Sequence, residues 1–385
     1  MSTTSVYHEP GRPSRPEPGP PEKRPRVTVD ARMVNASGIG TYLSNLLPRI
    51  IGSRPEWKFS LLGVPDELLE FNWALNPSVT IVPCDALIYG IGEQIQLATR
   101  IPADTDVMWS PHYNIPLAYR GRLLVSIHDV CHVALPELVK GIHRRAYTRI
   151  MLSQVRRRAG RILFPSAFTA GEFRRLVGDP RTKAATVPYA VSPRWFEVRP
   201  IRRPHPRPYL LFVGNVKPHK NLGTLVQAFA RIADRVPHDL VVVGKHSGFI
   251  TGDSPAVANA GSLGDRVHFT GQVPAETLEQ FVVNADTLVL PSLYEGFGLP
   301  PLEAMACGCP TVVSRAASLP EMCGDASLYF DPVSVEELAA TLLRVLTSPE
   351  QRQDLRQRGR QQATRYSWDS CAEQTLGVLE QLALP

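Results

Sequence analysis

The sequence has no run approaching the roughly eighteen consecutive apolar residues that a helix needs to cross a bilayer, so a membrane span is not expected. Its six cysteines (Cys84, Cys131, Cys307, Cys309, Cys323 and Cys371) form no pair of CxxC units and no small-scaffold spacing. That excludes a zinc ribbon and a disulfide framework, and it suits a reducing, cytoplasmic compartment. The close pair in "CGC" at 307–309 reads as small residues in a helix-to-strand turn rather than a redox or metal motif. No GxGxxG follows an early strand with an acid about twenty residues later, so a hydride-transferring dinucleotide site drops in rank. The arginine-rich stretches lack interleaved aromatics and match no nucleic-acid-binding motif, which argues against nucleic acid as a partner. The first 25 residues are crowded with proline and charge and lack the apolar core of a secretion signal, so they read as a disordered tail.

What is present is ordinary globular material, 385 residues with 43% hydrophobic side chains, too long for one typical core. Residues 27–50 run from a β-rich segment through a glycine turn into a helical pattern, and residues 209–232 repeat the plan. Between and after them, apolar runs such as "LLVSI" (123–127), "LVVVG" (240–244), "TLVLPS" (287–292) and "PTVVS" (310–314) alternate with helical stretches. Continuous hydrophobic strands spaced by helices predict parallel sheets covered on both faces, hence an α/β chain of two Rossmann-like domains. The boundary is expected in "VRPIRRPHPRP" (198–208), whose prolines and arginines cannot support a packed element. This gives an N-terminal domain over 26–197, a C-terminal one over 209–366, and a last helix over 367–385 that can cross back. In such sheets ligands sit beyond the carboxyl ends of the strands, and two such domains can face one another across a cleft.

Charge is unevenly placed. Residues 1–200 carry 26 Lys and Arg against 17 Asp and Glu, and residues 201–385 carry 16 against 19. Much of the excess lies in 141–161, where Tyr147, Ile150, Met151 and Val155 fall on one helical face with Arg145, Arg149 and Arg156 around it. This is either a helix with solvated arginines or a surface that docks on an anionic membrane.

The most tightly specified stretch is "YEGFGLPPLE" at 294–303. It follows a predicted strand and feeds a helix that opens on prolines and ends at a glycine. Gly296 and Gly298 permit close backbone approach, and free amides at a helix start favour a phosphate. Glu295 and Glu303 flank the loop, so one carboxylate can take a sugar and the other a ribose diol. The plainer alternative is that Glu303 complements the helix dipole and Glu295 caps a turn.

These residues resemble the E-x7-E motif of retaining glycosyltransferases of the GT-B fold, particularly glycosyltransferase family 4. The flank "PSLYEGFGLPPLEAMACGCPTVVS" carries the likeness, which runs from about residue 27 to the C-terminus. The resemblance implies two Rossmann-like domains with parallel sheets facing a central cleft, a nucleotide-diphosphate sugar on the C-terminal domain and a saccharide acceptor on the N-terminal one. It implies that Glu295 contacts the donor sugar and Glu303 the ribose. Gly296, Phe297, Gly298 and Leu299 would offer backbone donors. In "FVGNVKPHKN" (212–221), Lys220 would meet the diphosphate after the turn at Gly214. Asn215 stands where family members often carry arginine, and Lys217 can replace that contact. His128, with Asp129 beside it, occupies the place of the family's histidine near the reacting centre. Gly38 and Gly40 resemble the N-terminal glycine loop and would bring amides near the diphosphate or acceptor.

By the same resemblance the reaction retains anomeric configuration, with the diphosphate taking the acceptor's proton and Lys220, Glu295 and His128 at the centre. No DxD triplet is placed to hold Mg²⁺ on a diphosphate, so neither metal nor cofactor is expected. GDP-mannose is the first-choice donor, ahead of dTDP-rhamnose and UDP-glucose. The expected acceptor is a polyprenyl-diphosphate-linked oligosaccharide, met at the inner face of the cytoplasmic membrane. A nucleotide-sugar epimerase and a non-catalytic partner in a glycan-assembly complex are the competing readings.

Overall fold

The structure, a computed structural model, describes residues 24–138, 141–245 and 261–384, so the expected tail lies almost wholly outside the described residues. Among the described residues thirteen strands form two sheets. The first holds β1 (Arg26–Asp30), β2 (Lys58–Gly63), β3 (Val79–Pro83), β4 (Val107–Ser110), β5 (Arg122–Ser126), β6 (Arg161–Phe164) and β7 (Ala184–Thr186) in the order β3-β2-β1-β4-β5-β6-β7. The second holds β8 (Tyr209–Val213), β9 (Asp239–Val243), β10 (Val267–Gly271), β11 (Thr287–Leu290), β12 (Thr311–Ser314) and β13 (Leu328–Phe330) in the order β10-β9-β8-β11-β12-β13. Every pairing is parallel. The α/β arrangement expected from the apolar runs, and the GT-B plan that the resemblance implies, are therefore present.

The central strands are buried on both faces. Val27 and Val29 of β1 are wholly enclosed, and so are Leu210, Leu211 and Phe212 of β8. Each sheet reverses its strand order once, between β1 and β4 and between β8 and β11. At such a reversal the flanking connections leave to opposite faces and open a crevice at the carboxyl ends. The segments that carry the expected site residues, 31–40, 214–221 and 291–299, leave the sheets at these two points.

The chain passes from the first sheet to the second through coil at 198–208, where the Gln280 side chain accepts from the Ile201 amide and donates to the Arg199 carbonyl. It returns through the helix Trp368–Ala383, which lies on the helix Ser37–Ser53 and on the first sheet. Arg122 reaches the Leu382 carbonyl at 2.6 Å, Arg49 pairs with Asp369 at 2.6 Å, and Arg54 pairs with Glu380.

The basic helix spans Ile142–Arg158 and buries Thr148, Met151, Leu152 and Val155. Ile150, expected on the inward face, is turned to solvent, and Ile142 is exposed as well. The reason is that Thr148 and Leu152, four apart, centre the buried stripe. Arg158 is not solvated either, since its guanidinium holds the carbonyls of Leu117 and Tyr119.

Candidate active site

Beyond β8 the chain turns through Gly214, whose φ of 145° suits glycine. It then makes a single helical turn at Pro218–Lys220. Asn221 takes a left-handed conformation, and its amide bridges the carbonyls of Pro291 and Pro332 at 3.0 and 2.8 Å. It therefore ties the 214–221 turn to the end of β11 instead of capping the helix that follows. The Leu293 amide closes the tie by donating to the His219 carbonyl at 2.7 Å.

That seam brings Lys220 and Glu295 together. Lys220 Nζ lies 2.6 Å from Glu295 Oε1, which also accepts from Ser292 Oγ at 2.6 Å. Their side chains are only 18% and 12% exposed, so this is a shielded pair and not one of the solvated ion pairs that contribute little. Lys217 stands close by. Its burial and the neighbouring Lys220 ammonium lower its pKa, while Asp129 and Glu295 oppose the shift. Burial and Lys220 also lower His219, to about 4. Asn215, between these groups and Gly214, offers no charge. Two shielded ammonium groups that repel one another form a socket for an anion of more than one charge.

Asp129 borders this socket from the first sheet, its Oδ1 accepting from the Cys131 amide at 2.9 Å. The backbone of His128 presses on the opposing loop so closely that a methyl group at Gly296 would collide with the His128 carbonyl. The His128 imidazole is engaged elsewhere. Its Nε2 donates to the Pro111 carbonyl at 2.5 Å, which leaves Nδ1 to accept from the Tyr189 hydroxyl. Burial holds the ring below the usual histidine pKa, so it is neutral, with both nitrogens occupied.

The loop 295–298 is held from both sheets. Ser166 and Thr169 donate to the Gly296 carbonyl at 2.7 and 3.0 Å, and Ser318 donates to the carbonyls of Glu295 and Phe297 at 3.0 and 2.9 Å. The Phe297 ring is buried between Tyr189 and Tyr366. Gly298 adopts φ 105° and abuts Leu319. Among the described residues the amides of Gly296, Phe297, Gly298 and Leu299 have no hydrogen-bond partner. The helix Leu299–Ala306 opens with Pro300 and Pro301, which carry no N–H. The anion-binding amides expected at the helix start are thus confined to 296–299.

Glu303 points to the other side of this helix. With Asn35, Gly40, Thr41, Arg194, Trp195 and Leu278 it lines a cavity of about 470 Å³. Burial and the nearby Glu279 carboxylate push its carboxyl up to about 7, against a pull from Arg194 and Trp195. Gly38 and Gly40 belong to the first turn of the helix Ser37–Ser53 rather than to a turn before it. The Gly40 amide is spent on the Ala36 carbonyl, so the expected donor there is corrected: Gly40 admits the close passage of the Val34 carbonyl instead.

The structure therefore brings Glu295, Lys220, Lys217 and Asp129 together on one side of the loop, and Glu303 and Gly40 on the other. Sequence reasoning missed Ser166, Thr169, Ser318, Arg194 and Trp195. It also missed Glu321, whose carboxylate accepts from the Ala167 and Phe168 amides at 2.8 and 2.9 Å and joins the two halves. The DTD triplet at 104–106 lies at the amino end of β4, where Asp104 and Asp106 both hold Arg26.

The chain is similar to known proteins. A family profile described as "Glycosyl transferases group 1" matches residues 193–362. The O-antigen chain mannosyltransferase B of Escherichia coli is 32% identical over 285 residues, covering 71% of this chain and 73% of that protein. An MMP alpha-(1->4)-mannosyltransferase from Mycolicibacterium hassiacum is 34% identical over half of each chain. Among solved structures, a sucrose-phosphate synthase from Thermosynechococcus elongatus superposes with a TM-score of 0.73 at 19% identity, over 94% of this chain and 99% of that one.

Proposed function

The chain belongs to the group 1 glycosyl transferases and is a sugar-transferring enzyme, and from that premise we propose that it moves mannose from GDP-mannose to a saccharide acceptor with retention of configuration. The observation that carries this reading is the shielded Lys220–Glu295 pair beside Lys217, at the carboxyl ends of the second sheet. The choice of sugar is supported by mannosyltransferases at 32% and 34% identity. Donors built on dTDP-rhamnose or UDP-glucose are the next candidates. The acceptor in this reading is a growing glycan carried on a polyprenyl diphosphate.

In this mechanism the donor diphosphate enters between Lys217 and Lys220 and relieves their mutual repulsion. Glu295, already bonded to Lys220 and Ser292, accepts from sugar hydroxyls. The amides of 296–299 face the sugar and phosphate oxygens. As the sugar–phosphate bond breaks, positive charge grows on the anomeric carbon and negative charge on the departing diphosphate. Fixed cations and amides aimed at that anion lower the barrier without reorganising. The acceptor attacks from the face the diphosphate leaves, and the diphosphate takes its proton. No side-chain nucleophile is then required, and none is needed from the occupied His128. Among the described residues no acid triplet faces this socket, and the proposed mechanism runs without a metal.

Thermal unfolding of the protein should rise with GDP-mannose or GDP and stay unchanged with the other nucleotide sugars, in EDTA as in Mg²⁺. A ligand at about 100 times its dissociation constant adds about 2.7 kcal/mol of apparent stability, well above detection. A shift with UDP or dTDP compounds alone replaces the donor. A shift or turnover that vanishes in EDTA and returns with Mg²⁺ sinks the metal-free mechanism.

Among the described residues no helix is long and apolar enough to cross a membrane. Contact with an anionic membrane at the cytoplasmic face is part of the proposal. It is supported by Ile142 and Ile150, exposed on a helix that also presents Arg149 and Arg157 to solvent. Neutralising Arg149 and Arg157 together should release the protein from vesicles containing phosphatidylglycerol. Unchanged co-sedimentation would remove this surface from the reading.

A further inference from the structure

At the amino ends of the strands of the second sheet, away from the cleft, a second cluster gathers around one carboxylate. Asp239 is the first residue of β9 and is almost completely buried. His268, the second residue of β10, stands beside it. His205, from the coil that joins the two sheets, closes over both. The carboxylate is divided between two kinds of neighbour. Its Oδ1 takes Arg266 Nε at 2.9 Å and Arg207 at 3.3 Å, and its Oδ2 faces His205 Nε2 at 2.7 Å and His268 Nε2 at 3.3 Å. Among the described residues His268 Nε2 is buried yet has no hydrogen-bond partner, although Oδ2 lies 3.3 Å away.

We propose that His205, Asp239 and His268 bind a divalent transition-metal ion, zinc by preference. The three ligand atoms lie within 4.8 Å of one another. Tetrahedral zinc with bonds of about 2.0–2.1 Å separates its ligands by about 3.3–3.4 Å. The His268–Asp239 spacing of 3.3 Å already meets this, and His205 needs only to withdraw by a fraction of an ångström. Two imidazoles and one carboxylate oxygen suit zinc, not the oxygen-seeking magnesium and calcium. Water is the fourth ligand of such a three-residue site.

Arg266 supplies the outer support such sites use. Besides Oδ1 it holds the carbonyls of Ala233 and Val236, each at 2.9 Å, which fixes the direction in which Oδ2 points. The two guanidinium groups repel a dication, so the affinity is lower than that of a closed structural site. The site stands at the edge of the sheet opposite the donor cleft, so transfer does not run through it. Its effect is mechanical: the ion pins residue 205 of the connecting coil to β9 and β10. The proposal does not rest on the sugar-transfer reading.

The test is a zinc chloride titration of the full chain, stripped with EDTA and then freed of chelator, in competition with a chromophoric chelator. Cobalt(II) absorption serves as a second readout. One zinc per chain is expected, with a rise in unfolding temperature and the intense visible bands of tetrahedral cobalt. His205→Gln and His268→Gln should each weaken binding by at least tenfold, and the double variant should lose both the shift and the bands. His132→Gln, in the short helix Cys131–Ala134 after β5 and paired with the Tyr113 hydroxyl, should leave binding intact. Equal binding by the parent and the double variant, or loss only with His132→Gln, overturns the proposal. If the double variant does not fold, parent cobalt spectra of octahedral type overturn it equally.

Discussion

Alanine at Lys220 or at Glu295 is expected to cut turnover by about 10²–10³-fold, with a circular dichroism spectrum like that of the parent. Each side chain is shielded, and each already holds the other at 2.6 Å. Removing Lys220 takes the cation from the departing diphosphate and leaves Glu295 with Ser292 as its remaining partner. Removing Glu295 frees Lys220 to swing away from Lys217, whose charge repels it, and the socket loses its shape. Because the two act as one unit, the double variant should be little worse than either single one. Turnover within a few-fold of the parent for either single variant would take the pair out of the chemistry. Losses that multiply in the double variant would mean that they act separately.

The second large effect concerns Glu303 and runs in two directions. Its carboxyl is pushed from an ordinary 4.5 up to about 7, mainly by burial. Below the ordinary value the group is protonated both folded and unfolded, and its contribution to stability is fully present. As pH rises toward 7 the unfolded chain ionises while the folded one keeps its proton, so stability is lost, and the loss is complete once pH has passed the folded value. A displacement of this size corresponds to about 3 kcal/mol. Glu303→Gln removes the penalty. The variant should therefore unfold at a higher temperature than the parent at pH 8, with little difference at pH 4.5. It should also bind the nucleotide-sugar donor more weakly, because a carboxylate bonded to a ribose diol contributes about 1.5–3 kcal/mol, or roughly 10–100-fold. A variant no more stable at pH 8 would show that Arg194 and Trp195 keep the carboxylate ionised. An unchanged donor affinity would place the ribose elsewhere.

The sequence was legible where a physical rule acts locally. Buried parallel strands must be apolar throughout, so "LVVVG" and "TLVLPS" announced β9 and β11 without knowledge of their neighbours. Gly296 and Gly298 announced a loop that something approaches closely. What approaches Gly296, however, is the His128 carbonyl, contributed by a part of the chain more than a hundred residues away. Long-range partners of this kind leave no periodic trace. Ser166, Thr169 and Glu321 belong to that class, since a serine or a glutamate looks the same in sequence whether it faces water or the opposite domain. Side-chain direction was equally hidden: a helical face within 141–161 is readable, but not that Ile150 faces solvent while Arg158 grips two carbonyls. The position of His128 after β5 was readable as well. That Tyr189 and Pro111 would occupy both of its nitrogens was not.

The helix Trp368–Ala383 has a consequence for how the protein is made. Its Trp368 packs near Tyr42, and its Glu380 meets Arg54, 326 positions earlier. At about 5–20 residues per second, a ribosome takes on the order of tens of seconds to cover that distance. From the completion of β7 until the end of that interval, the N-terminal sheet has all its strands yet is bare on the face that this helix will cover. A stop codon that removes only the last helix would leave the face bare for good, and the product would be expected to collect on chaperones although every residue around the Lys220–Glu295 pair had been synthesised.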